Sequence, residues 1–391
     1  MEDTTPEQPV AYETESPAPV RRRRRRGWIW ATGAVVLAGL VCGGVQLWAN
    51  LDYDDAEAAF LQSREAAEPA TLTLSETMDY AGGITDAAIA VDGVTSPELL
   101  SDADRKALGE AAAGLAQERD DAAAIGLTAP STPNAKPLPA WELFPAASDL
   151  REGTAALDDR TDAQESAARS LSGTTKDLTE LGTGILRSAN EAVPAIEAAT
   201  VEARFAPVIA LRKAADSVQQ ESRFNEGASD MLLELDKAVI AVQASAKAER
   251  AAKAGPLFDA RRKAETYARS LSGGVLLEFV WTESLLGQGA GDSAAGTATW
   301  DSEDGGTSHI TLTNSVARYW PSDRMRSLVA HEVGHSISAK CYEKFDWERQ
   351  PANEQWATAW AMSWGYSAYE SGADEYGVPS KDMQAAAASC R

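Results

Sequence analysis

From Gly27 to Leu51 the chain carries no charged residue. Wound as an α-helix, that run spans about 35 Å, enough to cross the hydrocarbon core of a bilayer. Six consecutive arginines, Arg21–Arg26, stand directly before it, and Trp28, Trp30 and Trp48 lie near its two ends. Amphipathic aromatic rings favour the membrane interface, and a basic block favours the cytoplasmic side. The expectation is a single transmembrane helix over residues 27–49, with residues 1–26 in the cytoplasm and the rest of the chain outside. Two other anchors compete. A cleaved signal peptide needs small residues at its cleavage site, and "LWAN" places Leu47 there. A lipoprotein anchor at Cys42 needs a small residue before the cysteine, and Val41 precedes it.

Residues 1–20 are rich in Pro, Glu and Thr and are expected to be disordered. The net charge is −23, with 59 acidic against 36 basic residues, and the Arg21–Arg26 block supplies six of the latter. A nucleic-acid surface needs clustered cations, so no nucleic-acid partner is expected. The acidity reads as a well-solvated surface. Cys42 falls inside the apolar run, where it acts as a small hydrophobe. Cys341 and Cys390 fall in the outer part. In an oxidising compartment they read as one disulfide, stapling the C-terminus to the segment around Cys341.

Residues 52–271 show helical periodicity in an Ala-, Glu- and Leu-rich sequence. Val201, Phe205, Val208 and Ile209 make one apolar face, and Met231, Leu235, Val239 and Val242 make another. "TSPELL" offers Ser96 as N-cap with Pro97 at the first helical position, and Ser101 starts the next helix. Four prolines between Leu127 and Phe144 demand a loop. "ARSLSG" occurs at Ala168–Gly173 and Ala268–Gly273, which reads as two helix ends closed by glycine. No histidine or cysteine lies between Leu51 and Gly274.

From Ser272 β-branched and aromatic residues increase. Strands are expected at Gly296–Trp300 and Ser308–Thr313, a helix through Met325–Ile337, and another from about Asn353 to Tyr369. The expected fold class is therefore mainly α: an N-terminal transmembrane helix, an extended helical bundle or stalk over 52–271, and a small α+β domain over 272–391.

That last part holds the chemistry. "VAHEVGHSI", Val329–Ile337, contains two of the chain's three histidines. Residues i and i+4 of a helix share a face, so His331 and His335 are placed to grip one metal ion. Glu332 projects beside them, placed as a base rather than a ligand.

The segment resembles the zincin metallopeptidases, whose helix signature Val329–Ile337 satisfies throughout. The resemblance covers about the last 120 residues, and only the helix motif is specific. It implies bound zinc, a third protein ligand and an open position for water. The metzincin pattern fails, with Ser338 at its glycine position and Cys341 at its last histidine position. A gluzincin-like third ligand, taken from a following helix, matches Glu354 with Ala357 and Ala361 after it in "NEQWATAWAMSW". Cys341, Glu343, Asp346 and Glu348 are the alternatives. The family also implies an edge strand that pairs with extended substrate, for which "SHITLTN" is suitably placed. His309, Tyr366 and Tyr369 are candidate oxyanion donors, and Met362 reads as core packing. The implied activity is hydrolysis of peptide bonds in a protein or peptide outside the cell, with Glu332 as general base. A competing expectation is a cell-envelope interaction protein whose helical part binds partners and whose zincin-like part is non-catalytic.

Overall fold

The computed structural model describes residues 26–128, 135–291 and 293–391. The N-terminal arm, and all of the arginine block except Arg26, lie outside the described residues. Among these residues eleven α-helices and three strands follow in order. Helix α1 (Arg26–Ala90), α2 (Asp102–Ala124), α3 (Ala140–Ala199), α4 (Phe205–Gln220), α5 (Glu226–Ala252) and α6 (Phe258–Leu271) come first. Strands β1 (Leu276–Thr282), β2 (Gly296–Asp301) and β3 (Thr307–Thr313) follow. Helices α7 (Asn314–Arg318), α8 (Asp323–Cys341), α9 (Gln350–Ser363), α10 (Ala373–Tyr376) and α11 (Lys381–Ala388) complete the chain. The protein is thus mainly helical with one small mixed sheet.

Near its N-terminus α1 is apolar over a length that could cross a membrane. It leaves that stretch uncovered: Val35, Val36, Leu37, Leu40 and Val41 are all exposed. The chain divides into two compact units, Met1–Ser75 with Ile125–Ser166, and Glu76–Ala124 with Ala167–Arg391. In the first, Ala49, Tyr53, Ala56, Phe60 and Ala67 of α1 pack on Leu143, Ala147, Leu150 and Leu157 of α3. The alternating spacing of four and three residues is that of a heptad seam. Contacts advance together along both helices, from Gln46 with Ala140 to Asp52 with Arg151 and Thr71 with Gln164, so the two run parallel here.

In the second unit, Asp236 of α5 ties down the segment after α1. Its buried carboxylate accepts hydrogen bonds from Thr95 N (3.0 Å), Thr95 Oγ1 (3.1 Å) and Ser96 N (2.8 Å). Those bonds set the local geometry, so "TSPELL" forms a turn rather than the expected helix start. Ser101 does cap α2, accepting from Asp104 N at 3.1 Å. The two "ARSLSG" segments also differ. The second ends α6 with Gly273 at φ +55, whereas the first lies inside α3.

The sheet has strand order β1-β3-β2, with β1 parallel and β2 antiparallel to β3. "SHITLTN" is therefore the central strand, not the edge strand expected from the resemblance. The edge nearer α8 is β2. One face of β3, through Ile310 and Leu312, meets the core under α8, and Ser308 Oγ bonds Ser336 Oγ at 2.7 Å. The other face carries His309, against Phe205 and 3.2 Å from Glu278. The second expected C-terminal helix stops at Ser363, because Gly365 takes φ +97 and turns the chain. Cys341 and Cys390 form the expected disulfide, with Cα atoms 6.5 Å apart.

Burial alone would raise the Asp236 pKa, but its three hydrogen bonds outweigh burial and hold the carboxyl below its ordinary value. The stability it contributes is therefore complete above the unfolded-state pKa of about 3.9 and is lost as the pH falls through the lower folded value. Asp236→Asn should cost about 1–3 kcal/mol at pH 7 by urea unfolding, and the difference from wild type should shrink below about pH 4. An unchanged urea midpoint at pH 7 would contradict this account of the α1–α5 junction.

Candidate metal centre

Helix α8 is buried on every side: each residue from Val329 to Ala339 is buried. A helix enclosed all round must be apolar or small, and the exceptions here are His331, Glu332 and His335. Its position against α9 is set by Gly334. A Cβ there would lie 2.8 Å from Ala357 Cα and 2.9 Å from Ala357 O, so the two helix backbones touch. Trp356 Nε1 donates to Gly334 O at 3.1 Å and locks the crossing. Glu354, one turn before Ala357, is thereby brought opposite the two imidazoles.

Three ligand-type atoms then converge. His331 Nε2 lies 3.2 Å from Glu354 Oε2, His335 Nε2 lies 3.3 Å from the same oxygen, and the two Nε2 atoms are 3.2 Å apart. Metal–ligand bonds of about 2.0–2.2 Å place neighbouring ligands of a tetrahedral site about 3.3–3.5 Å apart. The triangle fits a single first-row ion with a fourth position open.

The far side of each ring agrees with that geometry. His331 Nδ1 donates to the carbonyl of Ser371 at 2.8 Å, and His335 Nδ1 meets the Asn353 side-chain oxygen at 3.1 Å. Both acceptors fix the proton on Nδ1 and leave the Nε2 lone pairs facing the centre. Three such acceptor atoms repel one another unless a cation or a shared proton lies between them. Burial pulls the His335 pKa down, yet the hydrogen bond to Glu354 and the charges of Glu332 and Glu354 outweigh it and raise the pKa. For Glu354 burial pushes upward, but the two histidines prevail and hold the carboxyl far below its usual range. His331, His335 and Glu354 form a group that could hold a metal ion.

Glu332 stands apart from this triangle. It is buried, its Oε2 has no hydrogen-bond partner, and burial raises its pKa despite the neighbouring histidines. Its carboxylate rests against Gly296 of β2: a Cβ at Gly296 would fall 2.5 Å from Glu332 Oε1.

The other candidates are placed elsewhere. Cys341 is committed to its disulfide. Glu343, Asp346 and Glu348 are exposed, and Asp346 pairs with Arg349. Tyr366 bonds Tyr267, with oxygens 2.6 Å apart, and Tyr369 is exposed. His309 lies on the sheet face turned away from α8. The tyrosine beside the centre is Tyr376, which sequence reasoning missed. A Cβ on Gly372 would touch His331 Cε1 and Tyr376 Cδ2, each at 3.5 Å, so both rings flank that glycine. Burial, the charges of Glu354, Glu375 and Glu332, and a hydrogen bond to Glu375 raise the Tyr376 pKa.

If the crossing at Gly334 builds the site, Gly334→Ala should weaken metal binding at least tenfold in competition with a chromogenic chelator and cost about 1–3 kcal/mol of stability. Gly109→Ala on α2, where a Cβ meets nothing within 4 Å, should leave metal binding unchanged. Equal metal affinity in Gly334→Ala and wild type would contradict the role given to the crossing.

Comparison with protein-family models, curated proteins and solved structures finds no match to this chain.

Proposed function

We propose that the chain is a membrane-anchored zinc metallopeptidase, acting on peptide bonds outside the cytoplasm. The observation that carries the reading is the triangle of His331 Nε2, His335 Nε2 and Glu354 Oε2, with edges of 3.2–3.3 Å, beside the unpartnered carboxylate of Glu332. Two imidazoles and one carboxylate with a fourth position open are the donor set of catalytic zinc. Zinc bound there supplies a Lewis acid that acidifies water and polarises a carbonyl.

The protein's own groups do the rest. Glu332, its pKa raised by burial, takes the proton of the attacking water and returns it to the leaving amine. Its free Oε2 is available for that proton because no residue competes for it. The Tyr376 phenol, hydrogen-bonded to Glu375 and protonated at neutral pH, stands beside His331 and can turn its proton to the developing oxyanion.

The open edge of β2 suits an extended peptide. Thr313 N donates to Ala295 O, so by the alternation of an antiparallel ladder Gly296, Ala298 and Trp300 turn their backbone groups away from β3. Gly296 lies against Glu332, so a strand paired there passes over the base.

The Cys341–Cys390 disulfide suits an oxidising compartment. The arginine block favours a cytoplasmic N-terminus, with α1 as the anchor. This gives a single-pass protein with its metal centre outside.

Glu332→Gln should retain the metal and the fold, and lower cleavage of a quenched fluorescent peptide library by about 10²–10⁴-fold. Cleavage at the wild-type rate by metal-loaded Glu332→Gln would sink the reading.

A further inference from the structure

A cleft of about 600 Å³ lies in the helical portion of the second unit, apart from the metal centre. One face of α3 lines it from Ser172 to Arg187, and the α4–α5 connection adds Ser222 and Arg223. Three cations, Lys176, Arg187 and Arg223, stand there against one acid, Glu180, and Lys176 already engages that acid at 3.6 Å. The local sign is the reverse of a chain whose net charge is −23.

The two arginines are the informative pair. Arg105, Arg204, Arg212 and Arg250 of the same unit each face a carboxylate. Arg187 and Arg223 have no carboxylate partner among the described residues. They come from different elements, which Phe224 N, donating to Thr183 Oγ1 at 3.1 Å, holds together one turn from Arg187, and both line the same cleft. Two guanidiniums lining one cleft with no carboxylate of their own are suited to phosphate.

Hydroxyls alternate with the charged side chains along the α3 face of the cleft. Thr179 Oγ1 donates to Thr175 O, and Thr183 Oγ1 donates to Thr179 O. Each threonine spends its proton on its own helix, and the Thr179 oxygen keeps acceptor capacity for a ligand hydroxyl. Ser172 and Ser222 supply further hydroxyls along the same cleft. From Ser172 to Arg187 the α3 face extends about 22 Å, which is longer than a lone inorganic anion needs.

We propose that this cleft binds a phosphate ester of a polyol, the phosphate between Arg187 and Arg223 and the polyol hydroxyls along Thr179 and Ser172. Such a group occurs both in free or polymeric polyol phosphates and in a glycerol-phosphate lipid headgroup. The site would give the helical part a binding role of its own, and it stands whether or not the metal centre hydrolyses peptides.

The full-length protein in non-ionic detergent is titrated by calorimetry with glycerol 3-phosphate, inorganic phosphate and short-chain phosphatidylglycerol. The expected result is saturable binding of glycerol 3-phosphate, tighter than that of inorganic phosphate and weakened at least tenfold by Arg187→Gln or Arg223→Gln. Both arginines are exposed, so the variants should keep their circular dichroism and metal content. Lys106→Gln on α2, an exposed lysine paired with Glu110, should bind as wild type. Saturable binding of the lipid alone, with the same arginine dependence, would assign the site to a headgroup. Absence of saturable binding by either ester, or equal binding by wild type and both arginine variants, would overturn the proposal.

Discussion

The contact of α8 and α9 at Gly334 is the constraint on which the C-terminal unit turns. A backbone-to-backbone approach leaves no room even for a methyl group. It sets the depth of α9, and with it the reach of Glu354 toward the two imidazoles. Ala357 and Ala361 continue the close seam, while Trp356 and Trp360 fill the space on either side as fully buried side chains. Large apolar volume flanking a line of small residues fixes a helix pair in one register. A ligand triangle with edges of 3.2–3.3 Å needs that rigidity.

Around this crossing most buried polar groups are satisfied, and Glu332 Oε2, Ser338 Oγ and Trp360 Nε1 are the ones without a partner. The Ser371 carbonyl accepts from both His331 Nδ1 and Thr358 Oγ1. Buried Glu265 is met by Lys253, Arg269 and Trp281. Glu332, equally enclosed, has an oxygen with no partner. A buried carboxylate without a donor is costly. Natural folds break such local rules at functional sites, and among the three groups the one carboxylate falls beside the ligand triangle.

How much of this was legible in the sequence depended on the range of the interaction. The histidine pair and Glu332 follow from helical spacing, and Glu354 from the resemblance to gluzincins, supported by the small residues one and two turns beyond it. Interactions between distant segments were not legible. Strand order depends on which edges meet, and the parallel pairing of β1 with β3 moves "SHITLTN" to the centre and leaves β2 beside Glu332. Tyr376 lies between two glycines at positive φ, Gly372 and Gly377, where periodicity says nothing about direction. "TSPELL" carries sound helix-start chemistry, yet Asp236, 140 residues away, captures its backbone donors first. The helical part shows the same limit: its apolar faces are readable, but the unpaired arginines of the α3 cleft emerge only once α3 and the α4–α5 connection are side by side.

The most direct measurement is the zinc content of the purified full-length chain by elemental mass spectrometry, for wild type and Glu354→Ala. The account requires one zinc per chain in wild type and a large loss in the variant, with the fold retained by circular dichroism. A wild-type protein that stays free of zinc after reconstitution, or a variant that holds zinc as fully as wild type, would contradict it.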